Sequence, residues 1–272
     1  MTLIGFGSGR SPGLTTTVHA LALAWPQDRR ALIAELDPDG GSLAARHAIP
    51  PDPGLVSLAA AGRRGLSPQQ VLRHCQQLAD RTPVLVGPTS PDRAGSALAT
   101  LGGQLDGALG ALSQFDVLAD CGRLDGRSPT LRLLGACRCV LLVVEPTVEG
   151  VAHLASRLPG LRLPAGRHAL ICIGDRPYRA AEVARALDLP LLGVMAWDPK
   201  GAAALAEGHP ERRGPLLRSA AALAASLLDQ LPSDGPATPP DTPARPAPPS
   251  AVMTTAMEPV PPGDDDQRPA WR

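Results

Sequence analysis

Residues 8–17 read S-G-R-S-P-G-L-T-T-T and follow directly on the apolar opening T-L-I-G-F-G. Glycines beside a strand end, with hydroxyl residues opening the next helix, are how a chain cradles phosphate. Consecutive backbone N–H groups wrap the anion at a helix N-terminus, where the dipole favours negative charge. In a working loop of this kind a lysine reaches the β- and γ-phosphates, and a Ser or Thr hydroxyl binds Mg²⁺. Here Gly9 and Gly13 supply the tight backbone around Ser11, and Thr15 stands where the Mg²⁺ hydroxyl belongs, with Thr16 beside it. Pro12 removes one amide donor, and Leu14 occupies the place of the lysine. Arg10 is the only cation in the loop.

Two further loops could join it. E-L-D-P-D-G-G, residues 35–41, puts Asp37 just past an apolar run; L-A-D-C-G, residues 118–122, ends another run on Asp120. An Asp at such a strand end commonly holds Mg²⁺ through water. Each acid alone could equally cap a turn or a helix. The order of the three loops, each at the end of a successive strand, makes Thr15, Asp37 and Asp120 a candidate Mg²⁺ set, with Asp37 the candidate catalytic acid. A dinucleotide loop is a poorer match. The spacing G-x-G-x-x-G fails at Arg10 when counted from Gly5 and at Pro12 when counted from Gly7, although Glu35 could serve as its ribose acid.

These loops need strands to aim them. Apolar runs at residues 3–6, 31–36, 83–87, 116–120, 140–144, 169–173 and 191–195 alternate with helical stretches at 15–25, 179–187 and 215–231. The runs are continuous rather than alternating, so they suit strands buried on both faces. The expected fold is a three-layer α/β domain over residues 1–231, a mostly parallel sheet with helices on both faces. Right-handed crossovers would then gather the strand C-terminal ends along one edge, where ligands bind. From 232 to 272 the chain is rich in proline and ends in G-D-D-D-Q-R-P-A-W-R, which predicts a disordered acidic tail; Trp271 reads as part of a solvated terminus, with a docking residue as the alternative.

Composition narrows the function. Hydrophobic residues make up 44% of the chain and aromatics only 2%, so the core is aliphatic. The formal net charge is zero, which gives no indication of nucleic-acid binding from bulk charge. Lys200 is the only lysine. The five cysteines form no C-x-x-C pair and are expected as buried free thiols. The charge-poor opening predicts no signal peptide, and no apolar run approaches the roughly 18 residues of a membrane span, so a cytoplasmic protein is expected.

The order of motifs resembles the ParA/MinD family of deviant-Walker-A ATPases, P-loop NTPases that partition chromosomes and position cell machinery. The family's first loop, K-G-G-V-G-K-T-T, is similar to Gly9-Arg10-Ser11-Pro12-Gly13-Leu14-Thr15-Thr16, and its D-x-D-P-Q loop to Glu35-Leu36-Asp37-Pro38-Asp39. F-D-V-L-A-D-C-G at 115–122, C-V-L-L-V-V-E-P-T and G-V-M-A-W-D-P resemble later family strands. The S-P-G-x-T-T-T loop resembles an actinobacterial branch with likeness to the CpaE/TadZ proteins of pilus assembly.

The resemblance implies an ATP or ADP site with Mg²⁺, a homodimer through the loop face and a protein partner. The family's adenine-holding Asn turn falls at Gly174-Asp175-Arg176, which makes Asp175 a candidate nucleotide contact. The family's two loop lysines fall at Gly9 and Leu14, and both are absent. A charge-assisted hydrogen bond contributes about 1.5–3 kcal/mol, so each loss weakens triphosphate binding roughly 10- to 100-fold. Hydrolysis should suffer more, because those cations oppose charge that develops in the transition state. The expectation is a localisation, partitioning or pilus-assembly factor with weak or absent ATPase activity. The alternative is an active ATPase in which Arg10 or a partner residue replaces the lysines. A small-molecule ligase of the dethiobiotin synthetase type needs the loop lysine still more. Membrane docking through a basic C-terminal helix is not supplied by the Pro-rich tail.

Overall fold

A run such as V-L-L-V-V is apolar on both faces and is satisfied only inside a sheet covered on both sides. The computed structural model, which describes residues 2–10, 13–161, 163 and 166–231, has that architecture. The strands are β1 (Leu3–Ser8), β2 (Ala31–Glu35), β3 (Gln76–Gln77), β4 (Pro83–Leu85), β5 (Asp116–Arg123), β6 (Cys139–Val144), β7 (His168–Ile173) and β8 (Leu191–Met195). They form one eight-stranded sheet in the order β3-β4-β2-β5-β1-β6-β7-β8. Every neighbouring pair is parallel except β3–β4. The expected tail at 232–272 lies outside the described residues.

The helices are α1 (Leu14–Leu23), α2 (Leu43–Arg46), α3 (Leu55–Ala61), α4 (Pro68–Arg73), α5 (Pro91–Leu101), α6 (Gly103–Gly110), α7 (Leu131–Ala136), α8 (Val148–Leu161), α9 (Ala180–Leu187), α10 (Pro199–Ala206) and α11 (Pro215–Gln230). Alternation along the strands sorts them into two layers. Ile4 and Phe6 of β1, Ile33 of β2 and Leu118 of β5 pack with α1, α2, α10 and α11. Leu3, Leu32, Val117 and Ala119 face the opposite way and pack with α3 to α9. The helix expected at 15–25 stops at Leu23, before Pro26. Proline disfavours the helical conformation in the residue that precedes it. The short antiparallel β3 had no apolar run to announce it.

Among the described residues no helix is long and apolar enough to cross a membrane. Four of the five cysteines are buried and all five are free. Burial pushes the Cys139 thiol up to about 11 and the Cys172 thiol up to about 12, which leaves both protonated and unreactive at neutral pH.

The edge of the sheet away from the glycine loop is tied by one polar cluster. Asp116, with no exposed surface at the start of β5, accepts a forked pair of bonds from Arg29 Nε and Nη2, each 2.6 Å, and one from Trp25 Nε1 at 3.0 Å. Burial alone would raise its pKa, but the Arg29 and Trp25 bonds outweigh it and hold the carboxyl below the ordinary range. That stability is present above the unfolded-chain pKa and is lost as pH falls through the lower native one. Asp116→Asn should lower unfolding free energy in urea by about 2–3 kcal/mol at pH 7. This is less than for a fully buried pair, because the Arg29 side chain keeps 32% exposure and stays hydrated.

Candidate functional site

The same alternation that builds the core delivers the acids. Two residues beyond Ile33 and Leu118, on the α1 side of the sheet, stand Glu35 and Asp120, directly paired in the β2–β5 register. Phe6 of β1 pairs with Asp120 on the other flank, so the chain leaves β1 beside that carboxylate and turns into α1. Thr15, in the first turn of α1, donates its hydroxyl to Asp120 Oδ2 at 2.7 Å, and the Gly122 amide donates to Oδ1 at 3.1 Å. Asp37, just past β2, accepts the Asp39 amide at 2.8 Å and lies directly over Gly122. Only a glycine fits there: φ is +66° and a Cβ would overlap the Asp37 carboxyl. The three loops named from the sequence therefore meet, with Thr15, Asp37 and Asp120 at one point.

Electrostatics make this point hungry for positive charge. Burial pushes Asp120 up to about 6; the Thr15 bond opposes the shift and the charge of Glu35 adds to it. Asp37 also rises to about 6, through burial first and then through the charges of Asp120 and Asp39. Glu35 is raised by burial too, although the amides of Leu43, Ser42 and Gly87 all donate to it at 2.6–2.9 Å. At 1% exposure Glu35 organises backbone and cannot reach a ribose, which removes the dinucleotide reading. Among the described residues no three His, Cys, Asp or Glu side chains converge to hold a metal by themselves. A cation here would draw on the Thr15 hydroxyl, Asp37, Asp120 and water or phosphate oxygens, the mixed set that Mg²⁺ prefers. The donor set fits the ion.

The glycine loop is more altered than its sequence suggests. Gly9 is pressed against α8: an added Cβ would lie 2.8 Å from the Leu154 amide nitrogen and 2.9 Å from its Cα. No side chain can leave from that position. Leu14 is 1% exposed and packs in the core with Val18 and Phe6, so only its backbone faces the loop. Arg10 is exposed and its amide donates to Ser8 Oγ at 3.2 Å. Ser11 and Pro12 lie outside the described residues. Gly13 takes a left-handed conformation, φ +67°, before α1, which no side chain caps. First-turn amides of a helix have no intrahelical acceptor, so this end offers donors to an anion.

A cavity of about 230 Å³ opens from Gly13, Thr16 and Thr17 towards Ile173 and Leu216. A second of about 500 Å³ is lined by Glu145, Thr147, Asp175, Arg176 and Pro177. Trp197 lines both and is 64% exposed. Asp175 borders the larger cavity, but its carboxylate already accepts the Ala180 amide at 2.6 Å and Arg179 Nη1 at 2.8 Å, which starts α9. Lys200 is exposed on α10. Sequence reasoning did not single out Trp197 or Arg46, whose Nη1 donates to Thr16 Oγ1 at 3.4 Å. A Trp beside a late D-P turn in an aromatic-poor chain was a usable signal; for Arg46 there was none.

No protein-family model matches the sequence, and no curated protein sequence matches it. Its structure is similar to that of a ParA family ATPase from Chlorobium tepidum TLS, with 14% identity, a TM-score of 0.69, and 82% of this chain and 98% of that one covered. It is also similar to the ATP complex of a Cyanothece McdA variant, at 19% identity and TM-score 0.62, covering 84% and 96%. The septum site-determining protein MinD of Pyrococcus horikoshii OT3 complexed with Mg-ADP matches at 17% identity and TM-score 0.60, covering 85% and 96%. At these identities the shared feature is the fold.

Two outcomes follow from the site's geometry. The native state holds protons on Asp37 and Asp120 more tightly than the unfolded chain does. Their contribution to stability therefore falls as pH rises from about 4 to about 6, by roughly 1.4 kcal/mol for every pH unit that separates the native pKa from the unfolded one. Without divalent ions, Asp120→Asn should then be more stable than wild type in urea at pH 8 by about 1–3 kcal/mol. Near pH 4 the gain should vanish. Gly9→Lys should lower the melting temperature and add no nucleotide affinity, because the new side chain meets the α8 backbone.

Proposed function

We propose that this chain is a ParA/MinD-like protein that keeps the magnesium and phosphate frame of that fold and lacks its lysines. It works as a localisation or partitioning factor, of the kind found in pilus assembly or secretion, rather than as a productive ATPase. The observation that carries the reading is the meeting of Thr15, Asp37 and Asp120 beside the uncapped end of α1, with the two lysine positions closed. Gly9 has no room for a side chain and Leu14 is built into the core. Backbone amides of residues 13–16 and a Mg²⁺ on the acids hold ATP or ADP weakly. The base lies along the cavities beside Trp197, with Asp175 at their rim. Arg10, exposed beside the loop, contributes at most a peripheral charge. The loop face forms the homodimer, and a protein partner reads its state.

Of the similar structures, one is an ATP complex and another a Mg-ADP complex, which supports the nucleotide class. Calorimetric titration with Mg-ATP and Mg-ADP, together with phosphate release, tests the proposal. The expected result is weak, Mg²⁺-dependent binding and turnover below about one per minute, against typical enzyme rates of about 10 per second. Faster turnover that Asp37→Ala abolishes would mean a working ATPase instead.

A further inference from the structure

We infer that Arg46, reaching across from α2, is the cation that meets the phosphates in this site. This rests on the nucleotide reading above and assigns to it a residue outside the glycine loop. The path to Arg46 is short and rigid. Glu35 at the end of β2 takes the amides of Ser42 and Leu43, which fixes the first turn of α2 over the strand ends. Leu43 and Ala44 are buried beneath it, and Arg46 is left pointing outward in the same turn. Its Nη1 donates to Thr16 Oγ1 at 3.4 Å, and Thr16 with Gly13 lines the cavity that opens from the start of α1.

The position is electrostatically unusual. The N-terminus of a helix carries partial positive charge, so a guanidinium beside it is disfavoured unless anions lie close by. Glu35 and Asp120 supply negative charge from behind: the Arg46 charge lowers the pKa of both, against the larger effect of their burial. From the solvent side the arginine remains exposed, and among the described residues it has no ion-pair partner. Two other arginines near the strand ends are already paired, whereas Arg10 beside the loop and Arg176 at the larger cavity stay exposed. Arg123 is paired to Asp39 at 2.7 Å, Arg179 to Asp175 at 2.8 Å, and Lys200 stands exposed on α10. A phosphate group between Arg46 and the α1 amides would satisfy the helix end and the guanidinium together, since an arginine fork suits phosphate oxygens.

The test uses the full chain with Mg-ATP and Mg-ADP in calorimetry, comparing wild type, Arg46→Gln and Arg46→Lys, with melting temperatures recorded alongside. Affinity for both nucleotides should fall about 10-fold in Arg46→Gln, the low end for a charge-assisted bond at an exposed position. Most of it should return in Arg46→Lys, with melting unchanged in both. Wild type that binds nucleotide while Arg46→Gln binds equally well would overturn the assignment and leave the site standing. An equal loss in the glutamine and lysine variants, or a loss accompanied by lower melting temperature, would make Arg46 a structural residue and overturn it too. Wild type that binds neither nucleotide would bring down the site itself.

Discussion

A carboxylate with no exposed surface ends the productive part of β5, and the rest of the site depends on how it is held. Asp120 is removed from water, which penalises its charge, and among the described residues only the Thr15 hydroxyl and the Gly122 amide donate to its carboxylate. Those two donors come from different segments. Thr15 is placed by the turn from β1 into α1, and Gly122 by the kinked end of β5 itself. If the β1–β5 register slipped by one residue, Asp120 would turn to the other face of the sheet and lose both the hydroxyl and its neighbours. The parallel core is thus what makes the acid site possible, and the site in turn burdens the core with charge.

That burden is uneven across the molecule. At the opposite edge Asp116 is equally buried, yet its arginine fork and indole donor more than offset the loss of water. Around Asp120 the nearest charges are mostly acidic: Glu35 behind it and Asp37 over Gly122. A fold selected only for stability would neutralise such a cluster, whereas a site that awaits a cation leaves it exposed to repulsion. The contrast between two buried aspartates on one strand sets the candidate site around Asp120 apart from the structural cluster around Asp116.

Much of this was legible in the sequence, for identifiable reasons. Continuous apolar runs located seven of the eight strands to within a few residues, because a doubly covered strand has no polar face to blur its limits. β3 was missed, since Gln76 and Gln77 pair at an edge and bury little. Asp37 and Asp120 were visible as acids ending such runs. Less visible was the reason for the missing lysines. Leu14 reads as a simple loss of charge, but its side chain is part of the core; Gly9 reads as flexibility, but it is a close contact with α8. Both depend on residues more than 100 positions away or on helix packing, which local pattern does not encode. Arg46 lies near the site only because Glu35 folds the chain back on itself, and an arginine a few residues past a glycine pair carries no signal of that.

The central claim is that Thr15 and the two strand-end aspartates form a cation site that serves a phosphate ligand. Its most direct test is the affinity for ATP with and without Mg²⁺, measured on wild type and on Thr15→Val, which removes the hydroxyl and keeps the shape. Mg²⁺ should tighten ATP binding in wild type and have no effect in the valine variant. Equal Mg²⁺ dependence in both proteins, or none in wild type, would contradict the claim.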